Sequence, residues 1–212
     1  MTISNLTAGV QYKINVTAVA DDNHTDGQST AVTQYTRPGI IGNHHIVSQN
    51  TSSISVNWAS PPGEVFMYRL EWHNGGVLMT RYTNDTLAVL SELISGTNYT
   101  ITVTAVAGDN ETEGDPYTFT SFTRPELVRN LTVTNVTTSS VSVDWSEPEG
   151  NSSFYRVQWT DGQINDTVYV SETSMTISNL TAGVQYKIIV TAVADDNHTD
   201  GQNTAVTQYT SK

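Results

Sequence analysis

The sequence predicts an all-β fold: two seven-stranded β-sandwiches in tandem, preceded by part of a third. Three observations predict it. First, the phrase Leu-x-x-Gly-x-x-Tyr occurs three times, as Leu6, Gly9 and Tyr12, then Leu93, Gly96 and Tyr99, then Leu180, Gly183 and Tyr186, at a constant spacing of 87 residues. Second, each Tyr opens a run Tyr-x-Ile-x-Val-x-Ala-Val, whose period of two marks a strand with one buried face. Third, the rest of the chain is made of short apolar alternations set between turn residues, without helical periodicity. Gly at the fourth place of the phrase suits a corner that needs an unusual backbone angle. The Tyr behind it can bury its ring while its hydroxyl returns to upstream backbone, as in a tyrosine corner.

Taken in order, residues 1–37 hold only the last three strands of a sandwich, at about 1–4, 11–20 and 28–36. Residues 1–36 repeat 175–210 at all but two places, Asn15 against Ile189 and Ser29 against Asn203. With no facing sheet, Ile14, Val16 and Val19 would lie in water. The segment is therefore expected to be disordered, to pack on a neighbouring chain through homophilic or strand-exchange contact, or to be completed in a longer parent. Met1 is not evidence of a natural start, since Met175 fills the same place in the third copy, and the chain is expected to be a piece of something longer.

Residues 38–124 read as the first full repeat. Arg37-Pro38 and Arg124-Pro125 sit at the same offset of 87, and Pro there stops a strand and begins a short linker, which predicts a semi-rigid row of modules. Ile54-Ser-Val56-Asn-Trp58 and Tyr68-Arg-Leu70-Glu-Trp72 alternate, Asn74-Gly75-Gly76 is a hairpin turn, and Val77 to Tyr82 returns. Leu87 to Leu90 leads into the corner at Leu93, then come the long strand from Tyr99 to Val106 and a last one from Tyr117 to Phe122. Residues 125–212 copy this plan with Val141, Val143 and Trp145, then Tyr155, Val157 and Trp159, then Leu180 and Tyr186. Trp58, Tyr68, Trp72, Leu93, Tyr99, Trp145, Tyr155, Trp159, Leu180 and Tyr186 are the expected core, since aromatics alternating with polar residues face inward. An exposed sugar-stacking platform is the reading that this alternation disfavours.

A formal net charge of −12 and a pI near 4.5 argue against nucleic acid, heparin-like polymers and anionic membrane as partners. No apolar run reaches the ~18–20 residues of a spanning helix, so this segment is not expected to insert in a membrane. The chain has no cysteine, which removes disulfides and thiolate metal sites and any reaction that needs a cysteine thiolate. No nucleophile elbow, phosphate loop or zinc spacing is present, so neither catalytic residue, cofactor nor metal is expected.

At this point the sequence resembles fibronectin type III domains. Trp in the second strand, Tyr-x-Leu/Val-x-Trp in the third, the Leu-x-x-Gly-x-x-Tyr corner and the lack of cysteine carry the resemblance across the whole chain. More narrowly it resembles the ectodomains of receptor-type tyrosine phosphatases of the density-enriched, or eta, type. The crowding of Asn-x-Thr carries that step, with the turn phrases Asp109-Asn-Glu-Thr-Glu-Gly114 and Asp195-Asp-Asn-His-Thr-Asp-Gly201 and the endings Tyr-Thr-Arg-Pro and Phe-Thr-Arg-Pro. The cytokine-receptor signature Trp-Ser-x-Trp-Ser is missing. The resemblance implies a non-catalytic receptor ectodomain, with the phosphatase in a separate cytoplasmic domain, and a protein ligand or cell-surface partner. A matrix or adhesion protein with no enzymatic parent is the alternative.

N-glycosylation is the strongest functional signal. Thirteen of seventeen Asn residues are followed at the second place by Ser or Thr: Asn5, Asn15, Asn23, Asn50, Asn84, Asn98, Asn110, Asn130, Asn135, Asn151, Asn165, Asn179 and Asn197. Ser and Thr make up about a quarter of the chain, so chance supplies only about four such triplets at that composition. A hydrated sugar needs an exposed Asn, and none of the thirteen falls in the inward sets. Occupied acceptors would mean that the chain passed through the secretory pathway; together with the resemblance, the expected place is the extracellular face of the plasma membrane. The competing reading is that Asn and Thr are simply turn and strand formers.

Other candidates are weaker. Asp22-Asn-His-Thr-Asp-Gly27 and its copy at 196–201 resemble a calcium loop, but His stands at the third ligand place and the closing Glu and flanking helices are missing. A hairpin in which Asp-Gly supplies the positive backbone angles is expected instead. The loop contains no Arg, so the Arg-Gly-Asp activity of fibronectin is not carried over. His44-His45 is expected in surface linker before the first strand, His73 has no partner in sequence, and Glu147 and Glu149 belong to a polar loop.

Overall fold

The computed structural model describes residues 2–212. The described residues form sixteen strands and no helix. The first two are β1 (Gln11–Val19) and β2 (Asp26–Tyr35). Seven strands follow as β3 (Gly42–Gln49), β4 (Ile54–Ala59), β5 (Met67–Asn74), β6 (Val77–Thr83), β7 (Leu87–Leu90), β8 (Asn98–Val106) and β9 (Tyr117–Phe122). The last seven are β10 (Arg129–Val136), β11 (Ser140–Ser146), β12 (Phe154–Thr160), β13 (Asn165–Val170), β14 (Ser174–Ser178), β15 (Gln185–Val193) and β16 (Asp200–Tyr209).

Each set of seven divides into a three-stranded and a four-stranded sheet. The orders are β3-β4-β7 with β6-β5-β8-β9, and β10-β11-β14 with β13-β12-β15-β16. The alternation read in the sequence places its apolar set inward. In β15, Tyr186, Ile188, Val190 and Ala192 are buried, and they pack with Val141, Val143 and Trp145 of β11 and with Tyr155 and Val157 of β12. Trp58 meets Tyr68 edge-on at 5.3 Å, and Trp145 meets Tyr155 the same way at 5.4 Å, a favoured aromatic geometry. The β5–β6 hairpin turns on Gly75 and Gly76, both at positive φ.

Contacts divide the chain into two units. One is Met1–His45, Val56–Ala88 and Thr100–Phe119, and the other is Ile46–Ser55, Val89–Tyr99 and Thr120–Lys212. The passage from the partial segment into the first full repeat lies in the former, and the passage between the two full repeats lies in the latter.

Three expectations need correction. Among the described residues the partial segment holds two strands, not three: residues 2–4 form no strand, and Met1 lies outside the described residues, although the copy at Ser174–Ser178 is β14. That copy pairs with β11, and the first segment has no counterpart of β11 to pair with. The β1–β2 hairpin nevertheless pairs, with the register of β15–β16 reproduced residue for residue, down to the irregularity after Thr17 and Thr191. Of the residues expected in water, Val16 and Val19 are exposed and Ile14 is half-buried, whereas Ile188, Val190 and Val193 are fully buried in the third copy. Second, His44 and His45 are not linker. They lie in β3, where adjacent residues face opposite ways; the His44 ring stacks on Phe119 at 4.1 Å, its Nδ1 is 3.0 Å from the Tyr117 hydroxyl, and His45 faces solvent. Third, Asp26-Gly27 and Asp200-Gly201 lie inside β2 and β16, and the positive φ of those turns falls on Asn23 and Asn197.

Candidate glycan-acceptor surface

All thirteen candidate acceptor Asn residues are exposed. They differ in what else the structure asks of them. Asn23, Asn110 and Asn197 occupy the same place in three copies of one turn, each with φ close to +60°, a conformation that Asn tolerates better than most side chains. The Thr two residues on is also employed there. Asp22 Oδ1 accepts the N–H of His24 at 2.9 Å and of Thr25 at 2.8 Å, while Oδ2 accepts the Thr25 hydroxyl at 2.5 Å. Asp109 does the same with Glu111 and Thr112, and Asp196 with His198 and Thr199. In these turns both Asn and Thr are explained by the backbone.

The same turns settle the role of the carboxylates. The Thr25 hydroxyl, then the N–H groups of His24 and Thr25, hold the Asp22 carboxyl down at about 2. The Thr112 hydroxyl and N–H lower Asp109 likewise. Partial burial pulls Asp196 upward, but the hydrogen bonds from Thr199 and His198 outweigh it and leave the group low. These carboxylates stabilise the turn as charged acceptors. No group of three or more His, Cys, Asp or Glu placed to hold a metal occurs among the described residues.

Asn5, Asn130 and Asn179 also sit at positive φ, Asn50 Oδ1 accepts the N–H of Ser52 at 2.9 Å, and Asn151 Nδ2 donates to Thr97 Oγ1 at 2.9 Å. Five acceptors remain whose backbone does not call for Asn: Asn15, Asn84, Asn98, Asn135 and Asn165. Asn15, Asn98, Asn135 and Asn165 lie on strands β1, β8, β10 and β13, and Asn84 follows β6. Their side chains face solvent.

Of the residues expected in the core, Trp58, Tyr68, Trp72, Leu93, Tyr99, Trp145, Tyr155, Leu180 and Tyr186 are buried, and Trp159 is half-buried against the same core. Nε1 of Trp58, Trp72 and Trp145 is enclosed without a hydrogen-bond partner, so these indoles act as apolar fill. Glu149 pairs with Arg129 at 2.8 Å on the surface, Glu147 is exposed, and His73 is an exposed residue of β5.

Each corner Tyr hydroxyl accepts a backbone N–H five residues upstream: Thr7 to Tyr12 at 3.0 Å, Ile94 to Tyr99 at 2.7 Å and Thr181 to Tyr186 at 3.1 Å. Sequence reasoning missed the residue that completes the corner. Thr36, Thr123 and Thr210 each donate a hydroxyl, at 2.6 Å, to the carbonyl of that same upstream residue. The repeated Thr in the strand endings, spaced by 87, was the available signal.

The family model for the fibronectin type III domain matches residues 38–120 and 125–208. Receptor-type tyrosine-protein phosphatase eta of Gallus gallus is 29% identical over 212 residues, which is 98% of this chain and 15% of that protein. Tenascin-R of Homo sapiens is 29% identical over 202 residues, 90% of this chain and 14% of that protein. The chain therefore spans about a seventh of the length of these curated relatives. Among solved structures, a two-domain fibronectin type III segment of chicken tenascin superposes with a TM-score of 0.56 at 21% identity, over 80% of this chain and 99% of that one, a likeness of fold.

Proposed function

We propose a role from one premise: this chain belongs to the fibronectin type III family. It is a non-catalytic, extracellular segment of a glycosylated cell-surface receptor, serving as a spacer and as a surface for a protein ligand or another cell-surface molecule. The observation that carries this reading is the set Asn15, Asn84, Asn98, Asn135 and Asn165. These are exposed acceptors at positions where neither a positive φ nor a turn hydrogen bond calls for Asn. Sugar on them would cover strand faces and leave recognition to the bare surface between. The net charge of −12 supports a protein partner over nucleic acid or anionic lipid.

The likeness to receptor-type tyrosine-protein phosphatase eta along 98% of the chain favours a receptor phosphatase as parent, with any catalysis outside this segment. Equal identity to tenascin-R keeps one second reading, a matrix or adhesion protein without an enzyme. Sequencing the transcript beyond residue 212 separates them: a membrane span followed by a cysteine-bearing phosphatase domain supports the first, and neither supports the second. Secretion from a glycosylating host, followed by mass measurement before and after glycan removal, tests the extracellular placement shared by both.

A further inference from the structure

One eight-residue sequence, Asn-Leu-Thr-Ala-Gly-Val-Gln-Tyr, occurs at 5–12 and again at 179–186, and the structure holds the two copies in different surroundings. At the first, the Ala8 carbonyl accepts the backbone N–H of Glu64 at 3.0 Å, from the loop Pro61-Pro62-Gly63-Glu64 of the next repeat. The approach is so close that a Cβ on Gly9 would lie 1.8 Å from the Glu64 carbonyl oxygen. The middle corner does the same. Ser95 accepts the N–H of Asn151 at 3.0 Å, and a Cβ on Gly96 would lie 1.7 Å from the Asn151 carbonyl oxygen. At the third corner Ala182 is exposed, and a Cβ on Gly183 would meet nothing nearer than the Lys212 side chain at 3.3 Å.

We infer that the corner at 179–186 is a docking site for the Pro-x-Gly-x loop of a further fibronectin type III repeat joined directly behind it in the same chain. The occupant follows from the identical sequence at 5–12, which already holds such a loop. It is one in cis, because both occupied corners receive a loop 55 residues beyond their glycine through a short Arg-Pro linker. At the Ala8 corner, whose sequence the third corner shares, one backbone hydrogen bond with close packing is too little to gather a separate molecule, whereas a short linker supplies the effective concentration. Positive φ is common to Gly9, Gly96 and Gly183 and belongs to the corner itself. The lack of a Cβ is what lets the neighbouring loop come so close at Gly9 and Gly96, and the same room stands open at Gly183. The inference rests on the family assignment and not on the glycan reading, so unglycosylated protein tests it alone.

The test extends the full chain behind Thr210 with a copy of residues 37–124 and follows backbone amide exchange. The added copy of the Glu64 amide is expected to exchange as slowly as Glu64 itself. Gly183→Ala should speed the added amide by about tenfold or more while leaving Glu64 unchanged. Should Gly183→Ala disturb the third repeat, about ten Gly and Ser residues inserted into the new linker give the same reading without touching the corner, because they dilute the loop. Free exchange of the added amide overturns the inference. So does concentration-dependent dimerisation of the unextended chain that Gly183→Ala abolishes, which would make a second copy the occupant.

Discussion

Tyr186 and Thr210 hold opposite poles of one residue: the Tyr186 hydroxyl accepts the N–H of Thr181 at 3.1 Å, and the Thr210 hydroxyl donates to its carbonyl at 2.6 Å. Tyr99 and Thr123 clamp Ile94 in the same way, at 2.7 and 2.6 Å. The last strand of each repeat is thereby fastened to the loop that precedes the long strand. The clamp around Ile94 joins part-buried groups, so removing one side leaves a polar atom poorly hydrated.

Tyr99→Phe and Thr123→Val are each expected to destabilise the first full repeat by about 1–3 kcal/mol. Because both act on Ile94, the double variant should lose less than the sum. Urea unfolding of the four proteins measures this; strict additivity would mean the two bonds work independently.

Val16 and Val190 stand at the same place in two copies, yet Val16 is 65% exposed and Val190 fully buried. Val190→Ala should cost about 2 kcal/mol, and Val16→Ala should stay within about 0.5 kcal/mol. Equal losses would show that the face of β1 is covered in solution.

Trp145→Ala removes an enclosed indole and should cost about 3–5 kcal/mol, a large part of the ~5–15 kcal/mol typical of a domain. Near-ultraviolet circular dichroism should report lost packing. A folded variant that has lost only sugar binding would restore the carbohydrate-platform reading.

The low carboxyl of Asp196 makes stability depend on acid. Its folded pKa lies below the unfolded value of about 4. Its contribution is therefore complete above that value and is lost as pH falls through the lower folded one. Melting temperature measured from about pH 5 to pH 2 should fall more steeply in the parent than in Asp196→Asn. Parallel curves would exclude the turn as the source.

Most of the fold could be read from the sequence because inward residues alternate in β4, β5, β8 and their copies. The missed strands, β3 and β10, are the ones with little such contrast: Gly42–Gln49 and Arg129–Val136 contain no fully buried residue. Residues 2–4 misled in the opposite sense, since their sequence is that of β14 and only the missing partner strand decides the outcome. Positive φ on Asn23 and Asn197 was hidden behind the more familiar Asp-Gly pair. The candidate triplets are visible in the sequence, but their separation into turn-required and unconstrained Asn needed backbone angles and hydrogen bonds. The corner–loop contact needed structure too, since no sequence shows a carbonyl from the next repeat beside Gly96.

Intact-mass measurement of the chain secreted from a glycosylating host, before and after enzymatic glycan release, tests the extracellular reading most directly. The account predicts a large mass loss, with Asn converted to Asp on release at Asn15, Asn84, Asn98, Asn135 and Asn165 ahead of the turn residues Asn23, Asn110 and Asn197. An unchanged mass would contradict it.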